Sequence, residues 1–296
     1  MSDSQSKKFP PAVMSLFDKY VHGVISRREF IDRASGMAVA GLSGAALLDA
    51  LNPKFAEAQQ VAPTDTRLRT ESVEIAAPGY GKARGYLVQP AKAAGKLPVV
   101  LVVHENRGLN PHIEDVARRI ALENFVAFAP DALFPLGGYP GDEDKARALF
   151  QQLDQEKVRQ DFLAMTKHAK SLSAGNGKVG VVGFCYGGGM ANFLASHSPE
   201  INAAVPFYGS PPAPADAAAI KAPLLLQFAE QDERINAAWP ASEAALKSAG
   251  VKYQAFIYPG TQHGFNNDTT PRYDKDAAAL AWKRTIEFFN EHLRAS

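Results

Sequence analysis

Gly183-Phe184-Cys185-Tyr186-Gly187 is the stretch of this chain best suited to chemistry. The short apolar run Lys178–Val182 before it has the pattern of a buried strand, and Gly188–Ala195 after it reads as a helix. A strand, a tight turn and a helix form the context in which a nucleophile between two glycines is lifted above a sheet. The helix N-terminus behind it favours negative charge. Here the raised residue is cysteine, whose thiolate is a strong nucleophile.

A nucleophile of this kind needs a base and an acid to orient the base. Downstream, Pro223–Ala229 is a buried-strand pattern that ends in Glu230-Gln231-Asp232. Tyr253–Tyr258 alternates like a strand and runs into Pro259-Gly260-Thr261-Gln262-His263-Gly264-Phe265. Asp232 and His263 therefore sit just past the C-terminal ends of strands, where open α/β sheets place their sites. Nucleophile, acid, histidine is also the chain order of the α/β-hydrolase triad.

From about Thr70 onward the chain resembles the dienelactone hydrolase family of α/β-hydrolases. The resemblance rests on Val103-His104-Glu105-Asn106-Arg107-Gly108-Leu109-Asn110, Gly183-Phe184-Cys185-Tyr186-Gly187-Gly188, Ala229-Glu230-Gln231-Asp232 and His263-Gly264-Phe265. It implies hydrolysis of a carboxylic ester or lactone by Cys185, His263 and Asp232, with no cofactor or metal. It also implies an oxyanion hole built from the backbone N–H groups of Tyr186 and Asn106. Glu105 matches a glutamate that holds the resting cysteine and helps control its ionisation. Family members acting on an anionic lactone use an arginine four residues after the histidine; here Asn267 stands there. Arg107, Tyr139 and Asn267 are the candidate substrate-binding residues, and Arg272 could also supply a guanidinium. Hydrolysis of a thioester or peptide is an alternative, as is a non-catalytic binding protein on the same scaffold.

Composition narrows the classes. The 296 residues are 46% hydrophobic and 21% charged, enough for one large globular domain. A net charge of +1 gives no reason to expect a nucleic-acid partner. Cys185 is the only cysteine, which excludes an intramolecular disulfide and a Cys-x-x-Cys metal site. His104-Glu105 lacks a second histidine four residues after His104, so the helical zinc-protease spacing fails. No pattern in the chain encodes an oligomeric state.

The elements that must carry these residues follow from periodicity. Ser72–Ile75 and Arg84–Val88 read as a hairpin across Pro78-Gly79-Tyr80-Gly81. Leu97–Val103, Val126–Ala129 and Ala203–Tyr208 read as strands; Ile113–Glu123, Val158–Leu172 and Asp274–Leu293 read as helices. The alternation predicts an α/β-hydrolase fold, a mainly parallel sheet with helices on both faces, over residues 70–296. Residues 59–69 read as a linker.

Residues 1–58 carry a different signal. Ser26-Arg27-Arg28-Glu29-Phe30-Ile31 resembles the twin-arginine export motif. An apolar, small-residue stretch from Ala34 to Leu48 follows, too short to span a membrane comfortably. Ala56-Glu57-Ala58 then has the small-x-small pattern of a cleavage site. The expectation is periplasmic export through the twin-arginine machinery, a mature chain starting near Gln59, and no stable membrane insertion of that chain. The alternative is a cytoplasmic enzyme with an uncleaved N-terminal arm, since Pro11–Ile25 is amphipathic.

Overall fold

The computed structural model describes residues 9–37 and 41–294. The N-terminal arm contains α1 (Pro11–Val21), α2 (Arg27–Ser35), α3 (Gly44–Leu51) and the single turn α4 (Phe55–Ala58). Ser26 starts α2 through a capping box. Its hydroxyl accepts from Glu29 N–H at 3.2 Å, and the Glu29 carboxylate accepts from Ser26 N–H at 2.7 Å. The stretch that resembles an export motif is thus also a well-formed helix start. The apolar stretch from Ala34 is divided between α2 and α3, and its residues 38–40 lie outside the described residues. Phe17, Tyr20, Phe30, Leu47 and Leu51 pack with Val13 and Met14 into a small core belonging to the arm. Among the described residues, no helix is long and apolar enough to cross a membrane.

The sheet-forming region follows in chain order as β1 (Leu68–Ala77), β2 (Gly81–Pro90), β3 (Leu97–Val103), α5 (Pro111–Leu122) and β4 (Val126–Pro130). Then come α6 (Glu143–Phe150), α7 (Gln155–Ser171), β5 (Gly175–Phe184), α8 (Tyr186–His197) and β6 (Ile201–Phe207). The last elements are β7 (Leu224–Gln231), α9 (Glu233–Asn236), α10 (Trp239–Ser248), β8 (Tyr253–Gln262) and α11 (Lys275–Arg294). The eight strands form one sheet in the order β1-β2-β4-β3-β5-β6-β7-β8. β1–β2 and β2–β4 pair antiparallel, and every other pair is parallel.

Strand alternation splits the core into two layers. Val99, Leu101 and Val103 of β3 face one layer, with Phe162 and Met165 of α7 and Leu194 of α8. Val100 and Val102 face the other, with Val116 and Ile120 of α5 and Phe288 and Phe289 of α11. Both faces are covered, which is why these strands read as continuous apolar runs. Helices α6 and α10, and the single turn α9, lie where the pattern predicts none. Only Ala146 and Phe150 of α6, and Ser242 and Leu246 of α10, are buried, too few to leave a clear period. The linker segment is partly embedded: Val61 is buried, and its N–H donates to the Asp115 carboxylate at 2.8 Å.

Candidate active site

The C-terminal ends of the parallel strands meet at one edge of the sheet, and the chemistry-bearing residues follow directly from them. Cys185 links β5 to α8 with φ 55° and ψ −112°, a left-handed conformation that costs a non-glycine residue. The glycines around it make this turn possible. A Cβ on Gly183 would stand 1.9 Å from the Gly187 carbonyl oxygen, and one on Gly187 would stand 2.3 Å from that of Val103. Backbone therefore packs directly on backbone, and the Cys185 N–H donates to Phe207 O at 3.1 Å, fastening the elbow to β6.

Asp232 lies immediately after β7 and His263 immediately after β8, both buried. Nδ1 of His263 is 2.5 Å from Oδ2 of Asp232. A carboxylate only accepts, so Nδ1 carries the proton and Nε2 is left as the free nitrogen of the neutral ring. Among the described residues, that buried Nε2 has no hydrogen-bond partner. Burial alone would raise the Cys185 thiol, but the facing His263 and the hydrogen bond with His22 outweigh it and bring it down to about 6. Burial alone would lower His263, but the cysteine's negative charge and Asp232 raise it to about 10. The two shifts run in opposite directions, and each favours the charged form of its group, thiolate on Cys185 and imidazolium on His263.

Asn106 and Tyr186 line the same cavity as Cys185, about 470 Å³ in volume, which also touches Met190, Phe193, Tyr208 and Arg234. Tyr186 is the first residue of α8, so its N–H belongs to the helix end that lacks intrahelical partners. His104, beside the loop, is fully buried and held neutral by that burial. Its Nε2 accepts from Ala132 N–H at 3.1 Å, which marks it as a structural histidine.

The other sequence-predicted residues lie beside this cavity rather than in it. Glu105 accepts from Asn267 Nδ2 at 3.2 Å; among the described residues it has no hydrogen bond to the thiol. Asn267 is buried and also accepts from Thr269 through Oδ1, so it braces a loop. Arg107 is buried as well: it donates to Asn106 Oδ1 at 2.6 Å and to the Val21 carbonyl at 3.1 Å, and pairs with Glu143 at 3.6 Å. Arg272 pairs with Asp18 at 3.4 Å and lies 5.4 Å from the Phe17 ring centre. Tyr139 donates to Glu143 at 2.9 Å and lines a separate cleft beside Leu109 and Glu114. The guanidinium and amide groups of these residues are bonded here to neighbouring loops and the N-terminal arm.

Two residues at the site were not anticipated from sequence. Tyr208 follows β6 with φ 35°, and its buried hydroxyl has no hydrogen-bond partner among the described residues. Its ring lies 5.1 Å from that of His263. Its position at a strand's C-terminal end was the available signal. His22 follows α1, and its Nε2 reaches to 3.7 Å from the Cys185 sulfur. No local pattern marks a contact across 163 residues. The donor atoms of His22, Cys185 and His263 lie within 4.8 Å of one another. A soft cation would fit such a set, but the strained elbow and the carboxylate on His263 fit a nucleophile and its base, and the cluster is read that way.

A strained nucleophile elbow, a histidine–carboxylate pair on the next two strand ends and an eight-stranded, mostly parallel sheet define an α/β-hydrolase. Residues 83–293 match the dienelactone hydrolase family, and the chain belongs to that family. It is a hydrolase of dienelactone hydrolase type. An Escherichia coli K12 protein named "Putative carboxymethylenebutenolidase" is 34% identical over 222 residues, covering 70% of this chain and 82% of that one. The E. coli K12 "Putative hydrolase fragment YghX" is 54% identical over 114 residues, covering 38% of this chain and 97% of that one. The crystal structure of a "Putative Dienelactone Hydrolase" from Klebsiella pneumoniae superposes with a TM-score of 0.67 at 28% identity. It covers 75% of this chain and 99% of that one. Residues 1–39 match a separate family described as YqhI-like.

Proposed function

We propose that this enzyme cleaves small carboxylic esters or lactones by acyl transfer through Cys185, His263 and Asp232. The observation that carries the reading is the 2.5 Å bond from His263 to Asp232, which leaves Nε2 free beside the elbow cysteine. The Cys185 thiolate attacks the carbonyl carbon, and the oxyanion is held by the N–H groups of Tyr186 and Asn106. His263 passes its Nε2 proton to the leaving alkoxide, giving the thioester. It then takes a proton from water, whose oxygen attacks the thioester and releases the acid.

The lining of the cavity supports a compact substrate with an apolar part, set against Met190, Phe193 and Tyr208. Asn267 and the engaged Arg107 weigh against recognition of an anionic lactone through those positions. The test is a panel of esters and lactones assayed with wild type and Cys185→Ala. Turnover of at least one substrate that the variant loses supports the reading, and turnover undiminished in Cys185→Ala overturns it. Cys185→Ser should retain only a small fraction of activity, because a hydroxyl ionises far less readily than a thiol.

We infer further that residues 9–58 stay on the working enzyme as an arm. Arg27 pairs with Asp144 at 2.7 Å, and Lys54 N–H donates to Thr269 O at 2.8 Å. Asn106 and Arg107 both donate to the Val21 carbonyl, at 3.3 and 3.1 Å. Export through the Arg27-Arg28 motif with cleavage before Gln59 is the competing proposal. N-terminal sequencing of protein recovered from fractionated cells decides between them: a start near Gln59 removes the arm.

A further inference from the structure

We infer that His22, delivered by the N-terminal arm, is a second imidazole base on the Cys185 thiol, which makes the arm part of the catalytic apparatus. The inference rests on Cys185 being the nucleophile. It goes beyond the triad, because residue 22 lies outside the span that matches the hydrolase family.

The geometry of His22 repeats that of His263. Its Nδ1 lies 2.8 Å from the Asp18 carbonyl oxygen and 3.3 Å from the Asp18 carboxylate. Both are acceptors, so Nδ1 carries the proton of the neutral ring. Its Nε2 faces the sulfur at 3.7 Å. Arg234 Nη2, which can only donate, approaches the same Nε2 at 3.1 Å, fixing it as the unprotonated nitrogen. The two imidazoles meet edge to face, with ring centres 4.7 Å apart and planes at 81°. Each therefore places an Nε2 near one thiol, with an Asp behind its other nitrogen; at His22 the thiol shares the one Nε2 lone pair with Arg234. His22 is no stray surface side chain either, with 13% of it exposed.

The surroundings favour this role. The groups around the thiol are Asp18 and His22 from the arm, Glu105 after β3, Tyr208 after β6, Asp232 and Arg234 after β7, and His263 and Arg272 after β8. Glu105 is engaged with Asn267, so the partner expected to hold the resting cysteine is occupied elsewhere and His22 stands in its place. Burial works against a charged His22, yet its bonds to Asp18 and Cys185 raise it overall. The proton step is simple. The S–H bond breaks, an N–H bond forms at His263 Nε2 or, as the Arg234 hydrogen bond gives way, at His22 Nε2, and the products are one thiolate and one imidazolium. Two acceptors for one proton favour the thiolate more than one does.

The arm is seated where this needs it. Arg107 and Asn106 hold the Val21 carbonyl, one residue before His22, and Arg147 holds that of Tyr20. Asp144 accepts from Tyr20 and Arg27. The loop that should supply one oxyanion donor thus also locks the residue that flanks the nucleophile.

The test uses the full chain and no ester, so failure of the substrate reading leaves it interpretable. The rate of Cys185 alkylation by iodoacetamide is followed against pH for wild type, His22→Gln and Asp18→Asn. In wild type the midpoint should fall near 6. His22→Gln should move it up by about one unit and slow alkylation at the wild-type midpoint about fivefold, because a charge-assisted bond of ordinary strength is lost. Asp18→Asn should shift it in the same direction by less. A folded His22→Gln protein with the wild-type midpoint overturns the inference. Should the variants not fold, dibromoacetone cross-linking of wild type followed by peptide mapping decides it. Cys185 should link to both His22 and His263, and links to His263 alone overturn the proposal.

Discussion

Replacing Asp232 with asparagine removes one charge from the buried end of the site and almost no volume. In the wild type, Asp232 is 5% exposed and its carboxylate lies 2.5 Å from His263 Nδ1. A hydrogen bond to a charged group of this kind, with no water to replace it, is worth about 2–4 kcal/mol. That bond holds His263 as the imidazolium that must protonate the alkoxide. Its loss reduces the share of enzyme with a thiolate and an imidazolium and misorients the acid, and should lower kcat by about 30- to 1000-fold. The asparagine amide can also present N–H₂ to Nδ1 and select the wrong tautomer, which adds to the loss. The assay is steady-state hydrolysis of an activated ester, paired with a thermal melt to show that the variant is folded. KM should change little, because Asp232 is behind the histidine and outside the cavity. A folded Asp232→Asn enzyme within about threefold of wild-type kcat would refute the reasoning, since no charge-assisted bond of that strength would then be at work.

The pH profile of kcat/KM should rise through about 6 and fall through about 10, the values of the thiol and of His263. The thiolate must be formed, so rate increases with pH on the acid side, and the imidazolium must keep its proton, so rate declines on the alkaline side. An acid limb centred near the ordinary thiol value of ~8.5 would mean that the pair is not formed. Gly187→Ala should destabilise the fold and lower activity together, because its methyl would sit 2.3 Å from the Val103 carbonyl oxygen. Strain of this kind costs on the order of 1–3 kcal/mol, read as a lower melting temperature.

Much of this protein is written in local pattern. The buried strands are continuous apolar runs because both sheet faces are covered, and that alone separates Leu97–Val103 and Lys178–Phe184 from surface segments. The elbow is legible because the close approach of Gly183 and Gly187 to backbone leaves no room for side chains. Asp232 and His263 are legible because each follows a strand at the sheet's C-terminal edge.

What local pattern does not hold is how loops and arm pack on that edge. Glu105, Arg107 and Asn267 have the residue types of a substrate site, but the structure commits them to one another, to Glu143 and to the Val21 carbonyl. Residue type states which bonds a side chain can make; only the neighbours that the fold brings up decide which it does make. The arm is the strongest case. Its sequence, with Arg27-Arg28 and an apolar stretch, satisfies the pattern of a leader, and Ser26 and Glu29 equally satisfy that of a helix cap. The sequence by itself determined the sheet, the strained elbow that carries Cys185 and the strand ends that carry His263 and Asp232, because strand periodicity and turn sterics act over a few residues. The tertiary structure alone decided that His22 stands beside Cys185, because that contact depends on how a separate small core docks across 163 residues of chain.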